Sequence, residues 1–208
     1  MICDTMANFP VQQVLAFMAG ALALNLTPGQ DVIFASACGI EGGPRAGALA
    51  GLGVGIGGTV HVILAAIGLG ALIAAHPAAL LAVKYAGAAY LLLLAWKSWH
   101  AGELLPAQRA TRSGAGILAR GALSNLLNPK PVLFLLAFLP QFTRPEYGPV
   151  GQQILGLGLM FTCSGTLVTM GYGMGAGLAG KALAARMRVM NRVASVLFAG
   201  LAVRMVWK

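Results

Sequence analysis

Six stretches of this chain, roughly 9–38, 46–74, 77–96, 115–140, 150–179 and 190–206, are apolar over lengths that approach or exceed what a bilayer requires. About 20 consecutive apolar residues span the hydrocarbon as helix. Only 9% of the 208 residues are charged, while 58% are apolar. A soluble domain carries about 25% charged residues and needs them to coat its surface. The chain therefore reads as an all-α integral membrane protein of about six transmembrane helices.

The remaining charge is informative about orientation. The net charge of +9 is spread singly over short connections and does not form the continuous basic face that nucleic acid demands. No nucleic-acid partner is expected, and the excess reads as a topology signal. With six crossings, one side receives Arg45, Lys97, Arg109, Arg112, Arg120, Lys181, Arg186, Arg188 and Arg192. The other receives Arg144, Arg204 and Lys208, so the first side is expected to be cytoplasmic and both termini to face out. Met1–Asn8 holds Asp4 but no Lys or Arg. It lacks the basic start of a cleaved signal, and the first apolar segment is expected to belong to the fold. Cys3, Cys38 and Cys163 share no metal spacing and suggest no disulfide framework. No metal site, cofactor or catalytic residue is expected.

The chain also repeats itself. Gly20–Pro28, GALALNLTP, aligns with Gly121–Pro129, GALSNLLNP, at an offset of 101 residues, and Gly55 and Gly57 meet Gly156 and Gly158 at the same offset. Each half, about 9–96 and about 115–206, would hold three crossings, joined by a polar linker at about 97–114. An odd number of crossings per half inverts one half relative to the other. Inverted repeats are common among secondary transporters, and a matched pair of Pro- or Gly-interrupted segments points to their binding site.

The two interruptions are Asn25-Leu26-Thr27-Pro28-Gly29-Gln30-Asp31 and Asn128-Pro129-Lys130-Pro131. Proline removes a backbone donor and disfavours helix in the residue before it. Thr27 is a good N-cap, with Pro28 at the first helical position and Gln30 placed for a capping box. Asn128 and Pro129 repeat the cap and the proline. On this reading each break starts a new helix inside the membrane, whose free N–H groups and positive end suit a carboxylate. The alternative is that the prolines merely kink the helices. Asp31 adds an acceptor for an ammonium or a proton, and a buried carboxylate in a membrane segment is a functional candidate by default. A pocket offering both suits a free amino acid. Asp31 could instead serve a nearby Lys or N–H as a structural partner.

Further polar residues lie in the apolar segments. His61 could relay a proton or hold a structural hydrogen bond. Lys84 could snorkel to the headgroups or pair with Asp31 or a substrate carboxylate. Asn125 and Asn128 are candidates to bond a substrate or free backbone groups. Gly47, Gly51 and Gly55 form one helix row and Gly53, Gly57 and His61 another, as expected of close helix contacts.

Four ordered pieces, TPGQD at 27–31, the Gly-rich stretch ending in His61, KYAGAAYL at 84–91 and NLLNPKPVLFLLAFLPQF at 125–142, resemble the lysine exporter (LysE/RhtB) family of bacterial amino-acid exporters. The resemblance implies a multi-pass protein of the bacterial inner membrane. It also implies export of amino acids or relatives such as homoserine and its lactone, driven by the proton gradient. The candidate site residues read from the chain are Thr27, Pro28, Gly29, Gln30, Asp31, His61, Lys84, Asn125, Asn128, Pro129 and Lys130. The family's first motif is Pro-Gly-Pro-Asp, and Gln30 stands here in place of its second proline. Some members carry an acid near the second break, whereas this chain has none between Glu103 and Glu146.

The expected partners are a small amino acid, neutral and homoserine- or threonine-like, a proton and the lipid bilayer, with a homo-oligomer left open. A passive channel, a membrane assembly subunit and an intramembrane serine hydrolase built on Asp31, His61 and Ser36, Ser124 or Ser164 are the competing readings. No GxSxG or HExxH motif is present for the last.

Overall fold

The computed structural model describes residues 9–75, 79–100 and 113–207, with side chains placed except at 69–75, 79–81, 83–84, 179–188 and 205. Every regular element among the described residues is helical. The helices are α1 (Val11–Leu26), α2 (Gln30–Ala75), α3 (Ala79–Trp99), α4 (Gly114–Leu126), α5 (Pro129–Phe138) and α6 (Val150–Trp207), with short 3₁₀ turns at Leu139–Phe142 and Pro145–Tyr147. The expected linker falls largely on 101–112, outside the described residues, and the side chain of Lys84 also lies outside them.

Two stretches, Gln30–Gly68 and Val150–Leu178, are each long and apolar enough to cross a membrane, and the pair Gly114–Leu126 with Pro129–Phe142, bent by 50°, makes a third. The connection expected near 39–45 is present but shorter than expected, a kink at one residue. Helix α2 runs through it and breaks only at Gly43, whose φ of 79° and ψ of −179° divide α2 into two limbs. That region of backbone space is essentially reserved for glycine, and Pro44 follows as a first helical residue should.

Helix α6 also departs from the expected segments. It is 58 residues long, yet Tyr172 Oη lies 3.2 Å from Met190 Sδ. Eighteen residues of straight helix advance roughly 27 Å, so the axis doubles back between those two side chains. The expected segments 150–179 and 190–206 are thus two limbs of one helical hairpin, with no coil residue to betray the turn.

The two glycine rows read from the sequence face different neighbours. Side chains at Gly47, Gly51 and Gly55 would strike Gly173, Met170 and Thr166 of α6, whereas Gly53 and Gly57 lie against Leu118, Gly121 and Ala122 of α4. A Cβ on Gly47 would fall on the backbone of Gly173, and the reverse. Lipid provides no hydrophobic drive between helices, so close backbone approach through small residues is what joins them. Helix α2 is therefore the shared wall between α4 and α6, and α1 lies against α6.

The apolar core gathers at the other side. Phe17, Phe134, Phe138 and Phe198 are at most 1% exposed, and Phe134 stacks on Phe161 at 5.5 Å. Gln153, fully buried, clamps the turn before α6: its Nε2 donates to Arg144 O and Gly148 O, and its Oε1 accepts from Arg144 N. These bonds fix where α6 enters the bundle.

Candidate functional site

The breaks at 27–29 and 127–128 meet. Each leaves the last carbonyls of one helix and the first N–H groups of the next without intrahelical partners, and in hydrocarbon each must be satisfied from within the protein. The structure shows where these bonds go. At the end of α1, Thr27 Oγ1 donates to Ala23 O at 2.6 Å, Thr27 N donates to Leu24 O at 3.1 Å, and Tyr172 Oη donates to Leu26 O at 2.9 Å. Lys130 reaches over from the second break, and its Nζ donates to Thr27 O at 2.9 Å and Leu24 O at 3.4 Å.

The expected capping by Thr27 is therefore wrong. Thr27 ends α1 in an extended conformation and bonds backward to the fourth residue before it. Pro28 is not the first helical residue: α2 opens at Gln30, with Ile33 N donating to Gly29 O at 2.9 Å. Gln30 makes no capping box, and its Nε2 lies 3.5 Å from Ser124 Oγ across the second half. The physical reason is local competition. A buried threonine beside leftover carbonyls gains more by filling one of them than by serving a helix that starts three residues later.

The second break follows the sequence reading. Asn128 is the N-cap of α5, its Oδ1 accepting from Lys130 N at 3.0 Å, and Pro129 occupies the first turn. Asn125 O, freed where α4 ends, accepts from Asn128 N at 3.0 Å and meets His61 Nε2 at 3.1 Å. A carbonyl only accepts, so this bond requires the proton on Nε2. His61, 6% exposed, thus supports the break from behind.

Asp31 ties the halves together from the other direction. It stands in the first turn of α2, where the helix dipole favours a negative charge. Its Oδ2 accepts from Asn125 Nδ2 at 2.9 Å and from Asn128 Nδ2 at 3.0 Å. Each break thus sends one charged side chain into the other: Asp31 to the amides around the second, Lys130 to the carbonyls of the first. Asp31 Oδ1, Asn125 Oδ1 and Thr162 Oγ1 are buried without a protein partner.

These groups line one cavity of about 60 Å³, roughly the room of four to six waters. Thr27, Gly29, Asp31, Asn125, Asn128 and Lys130 from the breaks reach it. So do Gly58 of α2 and Phe161, Thr162, Gly165, Thr166 and Thr169 of α6. Of the residues picked from the sequence, Pro28, Gln30 and Pro129 shape the breaks without lining the cavity, and His61 stands one layer behind. Asn25, Tyr172 and the cavity-lining Thr162, Thr166 and Thr169 are not among the residues picked from the sequence. Asn25 lines the cavity and donates from Nδ2 to Phe161 O at 3.1 Å and Ser164 Oγ at 3.0 Å, anchoring the first break to α6. Tyr172 closes the end of α1. An amide one turn before a proline break was a visible signal for Asn25, whereas nothing local marked Tyr172. No group of His, Cys, Asp and Glu able to hold a metal occurs among the described residues.

The profile of the LysE type translocator family matches residues 22–208. The chain belongs to that family. It is 33% identical over 161 residues to the homoserine/homoserine lactone efflux protein of Salmonella typhi, covering 76% of this chain and 77% of that one. It is 36% identical over 145 residues to the leucine efflux protein of Klebsiella pneumoniae, covering 65% and 66%. A membrane protein of Vibrio cholerae, named without a function, is 35% identical over 162 residues, covering 76% and 78%. No solved structure matches. This member of the family is an amino-acid efflux transporter of the LysE/RhtB type, a multi-pass protein of the bacterial inner membrane.

Proposed function

We propose that this transporter exports small neutral amino acids and close derivatives, homoserine- or threonine-like, in exchange for protons, from one site between the two breaks. The single observation that carries the reading is Asp31. Its carboxylate sits where the breaks interlock, with Oδ2 bonded to both asparagines and Lys130 and Ser124 close by. A carboxylate at that point can hold a proton in one state and a cationic group in the other, which is what exchange requires. Among the described residues no second acid lines the cavity, so a doubly cationic substrate is poorly served. The relatives' named substrates, homoserine, its lactone and leucine, are likewise uncharged in the side chain.

On this reading the chain is a single transporter domain of two inverted three-helix repeats, with the breaks at corresponding places. The reciprocal reach of Asp31 and Lys130 supports it, because a two-fold relation makes each break the other's partner. A hydrolase is disfavoured: His61 contacts a backbone carbonyl rather than a serine hydroxyl.

The test is purified protein in liposomes loaded with labelled homoserine, threonine or leucine. The outside is made acidic. Saturable export that accelerates with the gradient and stops on adding a protonophore supports the reading. Export that neither saturates nor responds to the gradient marks a passive channel and overturns it.

A further inference from the structure

Away from the cavity, the last turn of α3 meets the start of the second limb of α6. Ser195 Oγ donates to Ala95 O at 2.6 Å, and the Arg192 guanidinium lies against the Trp99 ring, 5.6 Å from its centroid. Rising numbers on one helix meet falling numbers on the other, so the two run antiparallel. Their shared end carries an aromatic and cationic rim. Trp96 and Trp99 are 67% and 53% exposed, and Lys97 stands exposed between them in sequence. His100 is held against Trp96, ring centroids 4.1 Å apart, by a bond from its Nδ1 to Trp96 O at 2.9 Å. A carbonyl only accepts, so Nδ1 carries the proton. One to two turns further into the membrane, Leu92, Leu93, Val196 and Leu197 are exposed. The surface is thus apolar along the helices and cationic at their end, with tryptophans at the boundary, where their rings favour the headgroup level.

The cations of this rim have no carboxylate beside them among the described residues. Asp31 is bonded in the cavity, Glu146 lies 4.0 Å from Arg144, and Glu41 shares the surroundings of Cys38 with Arg120. Asp4 and Glu103 lie outside the described residues. A guanidinium resting against an aromatic ring is fixed in place and keeps its N–H donors for an anion, and phosphate matches their fork. We infer that this surface binds an anionic phospholipid. The phosphate sits at the tryptophan rim on Arg192, with Lys97 and His100 alongside, and the acyl chains lie along Leu92, Leu93, Val196 and Leu197. The charge bias of the sequence assigns this end to the cytoplasm, where basic patches beside transmembrane helices meet anionic headgroups. A zwitterionic headgroup would bring a cation of its own to a rim already cationic. A second copy of the chain fits poorly, because a two-fold contact through this face would set the same cations against each other.

The experiment uses the purified full chain in detergent and reads the rise in Tm on adding lipid. The probes are phosphatidylglycerol and phosphatidylcholine with the same acyl chains. Phosphatidylglycerol is expected to stabilise the protein at lower concentration. Arg192→Gln is expected to weaken that binding about fivefold, the share of one basic residue at a membrane surface, and Arg192→Lys to recover part of it. Arg204→Gln removes an exposed charge further along the same helix and is expected to leave the preference unchanged. The preference between the two lipids is the decisive readout, since a mere loss of packing lowers Tm without altering it. An equal response to both lipids, or a preference that survives Arg192→Gln combined with Lys97→Gln, overturns the inference. So does an equal stabilisation by glycerol 3-phosphate, which would assign the rim to a free phosphate. A lipid-free dimer that Arg192→Gln dissociates would assign the face to a second copy and likewise overturn it.

Discussion

Replacing Lys130 with methionine tests whether the first break is held by the second. Methionine keeps a long apolar stem and removes only the ammonium. Two acceptors lose a donor, but they do not lose equally. Leu24 O keeps the bond from Thr27 N and held Lys130 only at 3.4 Å, whereas Thr27 O loses a 2.9 Å bond. The loss is thus about one orphaned buried carbonyl, which costs ~1–3 kcal/mol. At about 2–4 °C per kcal/mol for a chain of this size, the thermal midpoint of the protein in detergent should fall measurably. Lys130→Arg, which can still donate to both carbonyls, should recover most of it. An unchanged midpoint in Lys130→Met would mean that Thr27 O finds water or another donor, and that the breaks do not depend on each other.

Three further outcomes are expected. Gly43→Ala meets no neighbouring atom and yet should cost ~1–3 kcal/mol, because alanine resists that backbone region; the same thermal assay reads it. Gly173→Val should lower the yield of monodisperse protein in size-exclusion chromatography, since its side chain would fall on the backbone of Gly47 and overpacking costs ~1–3 kcal/mol or more. His61→Gln, which can still donate to Asn125 O, should keep export responsive to the proton gradient, whereas a histidine that relays protons would lose that response on this change.

Much of the site is legible in the residues alone. The breaks at Pro28 and Pro129 can be read because proline acts locally, and Asn128 because an asparagine before a proline has one obvious use. The glycine rows mark the packing faces of α2, since a period of four needs no tertiary knowledge. What the residues alone do not reveal are choices between equal local options. Thr27 can cap forward or bond backward, and the leftover carbonyls of α1 decide. The stretch around Gly42-Gly43-Pro44 looks like a connection of several residues, and the structure reduces it to a kink at Gly43 between the two limbs of α2. Lys130 and Tyr172 serve carbonyls more than a hundred residues away, and no spacing rule reports that.

The most direct measurement is gradient-driven export by Asp31→Asn in liposomes. Asparagine can still accept through Oδ1 from Asn125 and Asn128, so the protein should fold and bind its substrate detectably. It cannot carry the proton, and export should become indifferent to an imposed pH difference. Full gradient-dependent export by Asp31→Asn would leave the carboxylate between the breaks with no part in coupling, and proton exchange at this site would have to be abandoned.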